Sequence, residues 1–193
     1  CSEENDKAEL EREEYERNRA EIARISLWVE KANIPTLYKG LIKFDPLEAQ
    51  KTIDYDYRQN LVIVGGVGTG KTMYASWIGL MAIHKGLTVR YLYASDIATR
   101  VKDTWNSRVL SEKDVIDELI NCDILILDEI GRVEYNEYLF KVVDGRYQNI
   151  KPTIILGNIE AKELPKILGE AIASRLRTNV NVLSFGNIDL RRF

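Results

Sequence analysis

Eight residues, Gly65-Gly66-Val67-Gly68-Thr69-Gly70-Lys71-Thr72, follow the apolar run Leu61 to Val64 and fit the pattern G-x-x-x-x-G-K-[ST]. Glycines let a backbone turn tightly and bring its N–H groups close to an anion. A lysine at the seventh place reaches the β- and γ-phosphates of a nucleotide, and the hydroxyl after it can hold Mg²⁺. A helix starting near Gly70 would aim its positive end at the same phosphates. Met73, the next residue, completes the set of positions expected to bind the cofactor. An ordinary glycine turn would not explain Lys71-Thr72 after a buried strand.

A second stretch, Cys122 to Leu127, is apolar apart from Asp123 and ends in Asp128-Glu129. A strand covered on both faces reads as a continuous apolar run, and ligands of parallel sheets collect at the carboxyl ends of their strands. Asp128 is therefore expected beside the metal with Thr72, and Glu129 is placed to polarise a water for attack on a γ-phosphate. Taken alone, Asp128-Glu129 is a solvated pair. Joined to the phosphate loop, it predicts Mg²⁺-dependent ATP hydrolysis. Asn158 ends the next apolar run and would orient the attacking water. Arg175, in Ala173-Ser174-Arg175-Leu176-Arg177, sits at a helix end, where the dipole favours cations anyway. Its functional reading is an arginine finger offered to a neighbouring subunit's nucleotide.

The elements that must position these residues are legible as periods. Ile22, Ile25 and Val29 recur at helical spacing on a charged segment, so a long helix is expected to end before Pro35 with its last turns docked. Asp45-Pro46-Leu47-Glu48 has the form of a helix start, predicting a helix to about Arg58. Helices are expected over 72–84, 97–105, 111–121 and 136–147, with two short ones bracketing Gly169. Strands are expected at 61–64, 89–93, 122–128, 152–156 and 180–185. Strands alternating with helices predict a five-stranded parallel sheet in a three-layer α/β/α sandwich.

Bulk composition narrows the classes. The chain has 193 residues, 45% of them hydrophobic, and a net charge of −3, so no global basic field advertises nucleic acid. Two cysteines make no disulfide framework, and no long apolar run or signal peptide is present. A cytoplasmic protein without membrane insertion is expected. A first residue Cys1 points to a fragment or a processed chain, and the sole histidine, His84, to a surface or capping role. Arg100, Lys102, Trp105 and Arg108 offer either a local single-stranded DNA surface or an ordinary amphipathic helix with Trp105 in the core.

Over residues 30 to 193 the chain resembles the AAA+ ATPases, and within them the bacterial and phage replicative helicase loaders of the DnaC/DnaI type. The resemblance is carried by Asn33-Ile34-Pro35, the phosphate loop, Tyr93 to Ile97, Ile126-Leu127-Asp128-Glu129-Ile130-Gly131, Gly157-Asn158, Leu168-Gly169-Glu170 and Ser174-Arg175-Leu176-Arg177. It implies an ATPase domain over 34–193 without a helical lid, preceded by a charged helix over 1–33 that serves as a linker or binds a partner. Asn158 matches the first sensor position, Arg175 the arginine finger, and Arg192 the second sensor. The family pattern there is closer to Asp-Ser-Tyr-Arg, so Leu190-Arg191 leaves the choice between Arg191 and Arg192 open. The implied partners are a hexameric DnaB-type replicative helicase, single-stranded DNA and further copies of the chain, joined through the ATP site. IstB-type transposition ATPases share almost all these motifs and are the alternative.

Overall fold

The structure, a computed structural model, describes residues 2–40, 55–132 and 136–186. Helix α1 (Ser2–Lys31) carries exposed charge along most of its length. It stops where Asn33 adopts φ 59°, a left-handed turn that Asn tolerates, two residues before Pro35. Only its last turns dock. Ile25 and Val29 are buried, whereas Ile22, expected on the same stripe, is exposed at 66%. The helix leaves the body one turn earlier than the period implied.

A short helix α2 (Thr36–Lys39) follows, and the helix expected over 45–58 falls mostly outside the described residues. Its described end is not helical: Gln59 N–H closes a turn on the Asp56 carbonyl at 3.0 Å. Five strands then appear as expected: β1 (Asn60–Gly65), β2 (Val89–Tyr93), β3 (Ile124–Asp128), β4 (Thr153–Gly157) and β5 (Val180–Phe185). They form one parallel sheet in the order β2-β3-β4-β1-β5. Between them lie α3 (Lys71–His84), α4 (Asp96–Asp103), α5 (Glu112–Asn121), α6 (Glu137–Gln148), α7 (Leu164–Leu168) and α8 (Glu170–Arg177).

Alternate strand residues feed two cores, which makes the three layers. Leu61, Ile63, Ile124 and Ile126 pack with the end of α1 and with α3, through Ile78, Met81 and Ile83. Val62, Val64, Leu125 and Leu127 pack with α4 to α8, through Ile97, Leu119, Leu139, Leu168 and Ile172. β3 and β4 are buried throughout, as strands covered on both faces must be, while β5 lies at an edge with alternating exposure.

Local chemistry fixes the element ends. Gly86 at φ 83° closes α3, with Gly86 N–H bonded to the Ile83 carbonyl and Leu87 N–H to the Ala82 carbonyl, a pairing that satisfies the last turn. Ser111 and Asp114 cap α5 reciprocally, and the Asn136 side chain caps α6. Cys122 is a buried free thiol just before β3. Among the described residues, no group of three or more His, Cys, Asp or Glu converges as a metal cluster. Nor is any helix among them long and apolar enough to cross a membrane.

Candidate nucleotide-binding site

Parallel pairing brings the carboxyl ends of β1, β4 and β3 side by side, with Val64 opposite Gly157 and Leu127 opposite Ile155. The segments leaving these strands therefore meet at one rim: the glycine loop after β1, Asn158 after β4, and Asp128-Glu129 at the end of β3. They line a cavity of about 680 Å³ that also receives Pro35, Leu37, Tyr38, Met73, Tyr93 and Arg132.

The loop is shaped by its glycines. A Cβ on Gly65 would lie 1.9 Å from the Phe185 carbonyl oxygen, so β5 leaves no room for a side chain there. Gly68 and Gly70 adopt φ 76° and 93°, and Gly70 caps α3. Lys71 is buried, and its Nζ donates to the Gly65 and Gly66 carbonyls at 3.0 and 2.5 Å. The ammonium thus braces the loop from inside while remaining at the cavity wall.

Asp128 is the most constrained carboxylate of the rim. Its Oδ1 accepts Glu129 N–H at 2.6 Å, and its Oδ2 accepts Thr72 Oγ1 at 2.9 Å and the Tyr91 hydroxyl. Burial first, and then the Asp128 charge, push the Tyr91 phenol far above its ordinary range, so it stays a proton donor. Glu129 sits at φ 54°, a left-handed conformation uncommon away from glycine and found where structure over-determines the backbone. Its Oε2 lies 3.2 Å from Arg132 Nη1 across the 3₁₀ turn Ile130–Arg132.

The oxygens of Thr72 and Asp128 fit a hard divalent cation. Mg²⁺ characteristically takes one or two protein oxygens and completes its shell with phosphates and water, so a dedicated carboxylate cage is not required. Ten of the site residues read from sequence, Val67 to Met73 with Asp128, Glu129 and Asn158, share this cavity, while Gly65 and Gly66 line the adjoining hollow beside β5.

Arg175 does not join them. It occupies the last turn of α8, where its Nε pairs with Asp144 of α6 and its guanidinium lies 5.0 Å from the Phe140 ring centroid. Its carbonyl accepts from Asn60 at the start of β1, whereas the glycine loop follows the end of that strand, about 16 Å further on. Arg192 and Arg191 lie outside the described residues. Sequence reasoning missed Tyr91 and Arg132. The alternation of Val89, Tyr91 and Tyr93 was visible, but the register that sets Tyr93 opposite Asp128 belongs to strand pairing.

The IstB-like ATP binding protein family matches residues 46–191. The chain belongs to that family. Replicative helicase loader DnaC of Escherichia coli (strain K12) is 31% identical over 137 residues, 69% of this chain and 56% of the relative. The chain thus spans little more than half the length of that curated relative. The crystal structure of the DnaC helicase loader is similar with a TM-score of 0.56 at 22% identity, covering 87% of this chain and 89% of that one. AMPPCP-bound DnaA from Aquifex aeolicus gives 0.58 at 21% identity, covering 79% and 47%. At these identities the likeness is one of fold. Family and fold together make this an AAA+ P-loop protein of an ATP-binding family, with the DnaC/DnaI resemblance read from the motifs matched by a DnaC relative.

Proposed function

We propose that this chain is an ATP-hydrolysing helicase loader of DNA replication whose active site is completed by a second copy of itself. One observation carries the reading. Lys71, Thr72, Asp128, Glu129 and Asn158 line a single cavity, while Arg175 stands outside it at the other end of β1. A finger that cannot reach its own phosphates can serve those of a neighbour.

In this reading the loop N–H groups of residues 65–72 and the Lys71 ammonium bind the β- and γ-phosphates, with Met73 and Arg192 as further nucleotide contacts. Thr72 and Asp128 hold Mg²⁺, which neutralises charge developing on the phosphates when bound. Glu129 accepts a proton from the attacking water, and Asn158 orients it. For Glu129 to act, its carboxylate must leave Arg132, an exposed pair of small energetic weight. Residues 34–193 form the ATPase domain, and the charged helix over 1–33 is a linker or partner-binding arm anchored by its last turns. The partners proposed are a replicative helicase, the kind of protein that the DnaC relatives are named as loading and that the motif resemblance implies to be hexameric and DnaB-type, and single-stranded DNA. Trp105, at 65% exposure, stands out with Lys102 and Arg108, whereas Arg100 turns to Glu118 at 3.6 Å.

The test mixes Arg175→Ala with Glu129→Gln protein. Each alone is expected to be inactive, and mixtures are expected to regain part of the turnover because some interfaces then hold one intact site. No regain at any ratio would refute the shared site. The family description favours a second reading, an IstB-type helper of a transposase. Proteins retained with Mg²⁺ and a non-hydrolysable ATP analogue separate the two: a replicative helicase supports the loader, and a transposase supports the helper.

A further inference from the structure

Tyr91 is 3% exposed, on an edge strand, in the core shared with α1 and α3. Its ring fills an apolar slot that phenylalanine would fill equally well. The hydroxyl is therefore unnecessary for packing, and burying it costs free energy unless it finds a partner. Its partner is Asp128 Oδ2, the oxygen that Thr72 Oγ1 also approaches at 2.9 Å. With Glu129 N–H on Oδ1, both oxygens of the carboxylate are fixed from the protein side.

The main chain of Tyr91 is held as well. Its N–H donates to the Ala32 carbonyl at 2.7 Å, where the chain leaves α1, so β2 is pinned on its outer edge by the segment ahead of Pro35. The parallel register, Tyr91 opposite Ile126 and Tyr93 opposite Asp128, then sets the phenol one step behind the carboxylate it meets. Thr72 has one proton and two lone pairs on its hydroxyl, so it can keep its proton on Asp128 while offering a lone pair to a cation. Tyr91 also shares a hydrogen bond with Thr72 beside this oxygen, and at 3% exposure it offers nothing to the cation directly.

We propose that Tyr91 is a positioning residue for the metal site: its buried hydroxyl locks the Asp128 carboxylate in the orientation that receives Mg²⁺ with the nucleotide. This rests on the reading of Asp128 as a metal-holding residue. The lock matters most for the cation and little for the nucleotide itself, whose phosphates are gripped by the loop and Lys71. That split is what a merely structural role would not produce.

The experiment titrates Mg²⁺ into the full chain with a fluorescent ATP analogue at fixed concentration, comparing wild type, Tyr91→Phe and Asp128→Asn. Manganese binding followed by the loss of the free Mn²⁺ spin-resonance signal, in the presence of ADP, provides a readout independent of turnover. Tyr91→Phe is expected to raise the half-saturating concentration of either cation about ten- to a hundredfold, the equivalent of one hydrogen bond to a charged group. Its nucleotide affinity in excess EDTA should match wild type. A normal cation requirement in Tyr91→Phe, with a raised one in Asp128→Asn, overturns the role of Tyr91 alone. A normal requirement in Asp128→Asn overturns the metal reading of Asp128 and the proposal with it. An equal loss of nucleotide affinity with and without cation would make Tyr91 a packing residue only.

Discussion

Arg146 offers the sharpest test of how the rim is held in place. It is fully buried on α6, with 0% exposure, and among the described residues no carboxylate is a hydrogen-bond partner of it. Its guanidinium donates to the carbonyls of Leu119 at 2.7 Å, Ile120 at 3.1 Å, Cys122 at 2.8 Å and Asp123 at 3.2 Å. It also donates to the Pro152 carbonyl and, at 3.1 Å, to Thr153 Oγ1. These oxygens are the unpaired end of α5 and the starts of β3 and β4, the strands that deliver Asp128 and Asn158. Burial lowers the Arg146 pKa from its ordinary value, but a guanidinium remains charged. Arg146→Met keeps much of the volume, strands the carbonyls of Ile120, Cys122, Asp123 and Pro152, and leaves that of Leu119 only the weak Cys122 thiol donor, each stranded carbonyl costing about 1–3 kcal/mol. Against that, removing a buried cation recovers a desolvation cost of several kcal/mol (order of magnitude), so the net loss expected is about 3–5 kcal/mol. That is on the order of a third or more of a typical domain's stability. Urea unfolding followed by circular dichroism measures it. Arg146→Lys should recover less than half, because a compact ammonium cannot span five acceptors set in a fork. A loss below about 1 kcal/mol for Arg146→Met, with an unchanged denaturant slope, would refute the account of this residue as the tie between α5, β3 and β4.

Three further outcomes are expected. Gly65→Ala drives a Cβ into the Phe185 carbonyl oxygen, so it should lower stability by about 1–3 kcal/mol and weaken ATP-analogue binding, as calorimetry would register. Desolvation raises the Asp123 pKa, but Lys151 at 2.6 Å and the two Thr88 donors outweigh it, leaving the carboxyl below its ordinary value. A depressed folded pKa contributes stability above the unfolded value of about 3.9 that is lost as pH falls through the folded one, so Asp123→Asn should weaken the fold at pH 7 and flatten its acid unfolding limb. Trp105→Ala should weaken binding of a labelled single strand about tenfold in fluorescence anisotropy, and wild-type binding should fall with added salt. A flat salt response would remove the electrostatic part of the DNA proposal.

Much of the site was readable along the chain because its determinants are local. The glycine loop is eight contiguous residues between a buried strand and a helix start, and Asp128-Glu129 ends an apolar run. Backbone preferences and hydrophobic period act over a few residues, so they survive in the sequence as spacing. The layer count follows from the same alternation of periods. The exposed Ile22 and the turn at residues 56–59 show where that reasoning stops, since a period describes a face and not what covers it.

Tertiary structure decided everything that rests on pairing between distant segments. Strand order placed β4 between β1 and β3, and only then did Asn158 join Lys71 and Asp128 in one cavity. Register put the Tyr91 hydroxyl on Asp128, and the packing of α8 on α6 set Arg175 beside Asp144, outside the cavity of the glycine loop. Arg146 reads in sequence as an ordinary charged residue near a helix end and is in fact the polar centre of the far rim. The reason is physical: a side chain's partner across a sheet depends on which strands lie side by side and in what register. Those are set by the packing of the whole core, with little trace in the few residues around it.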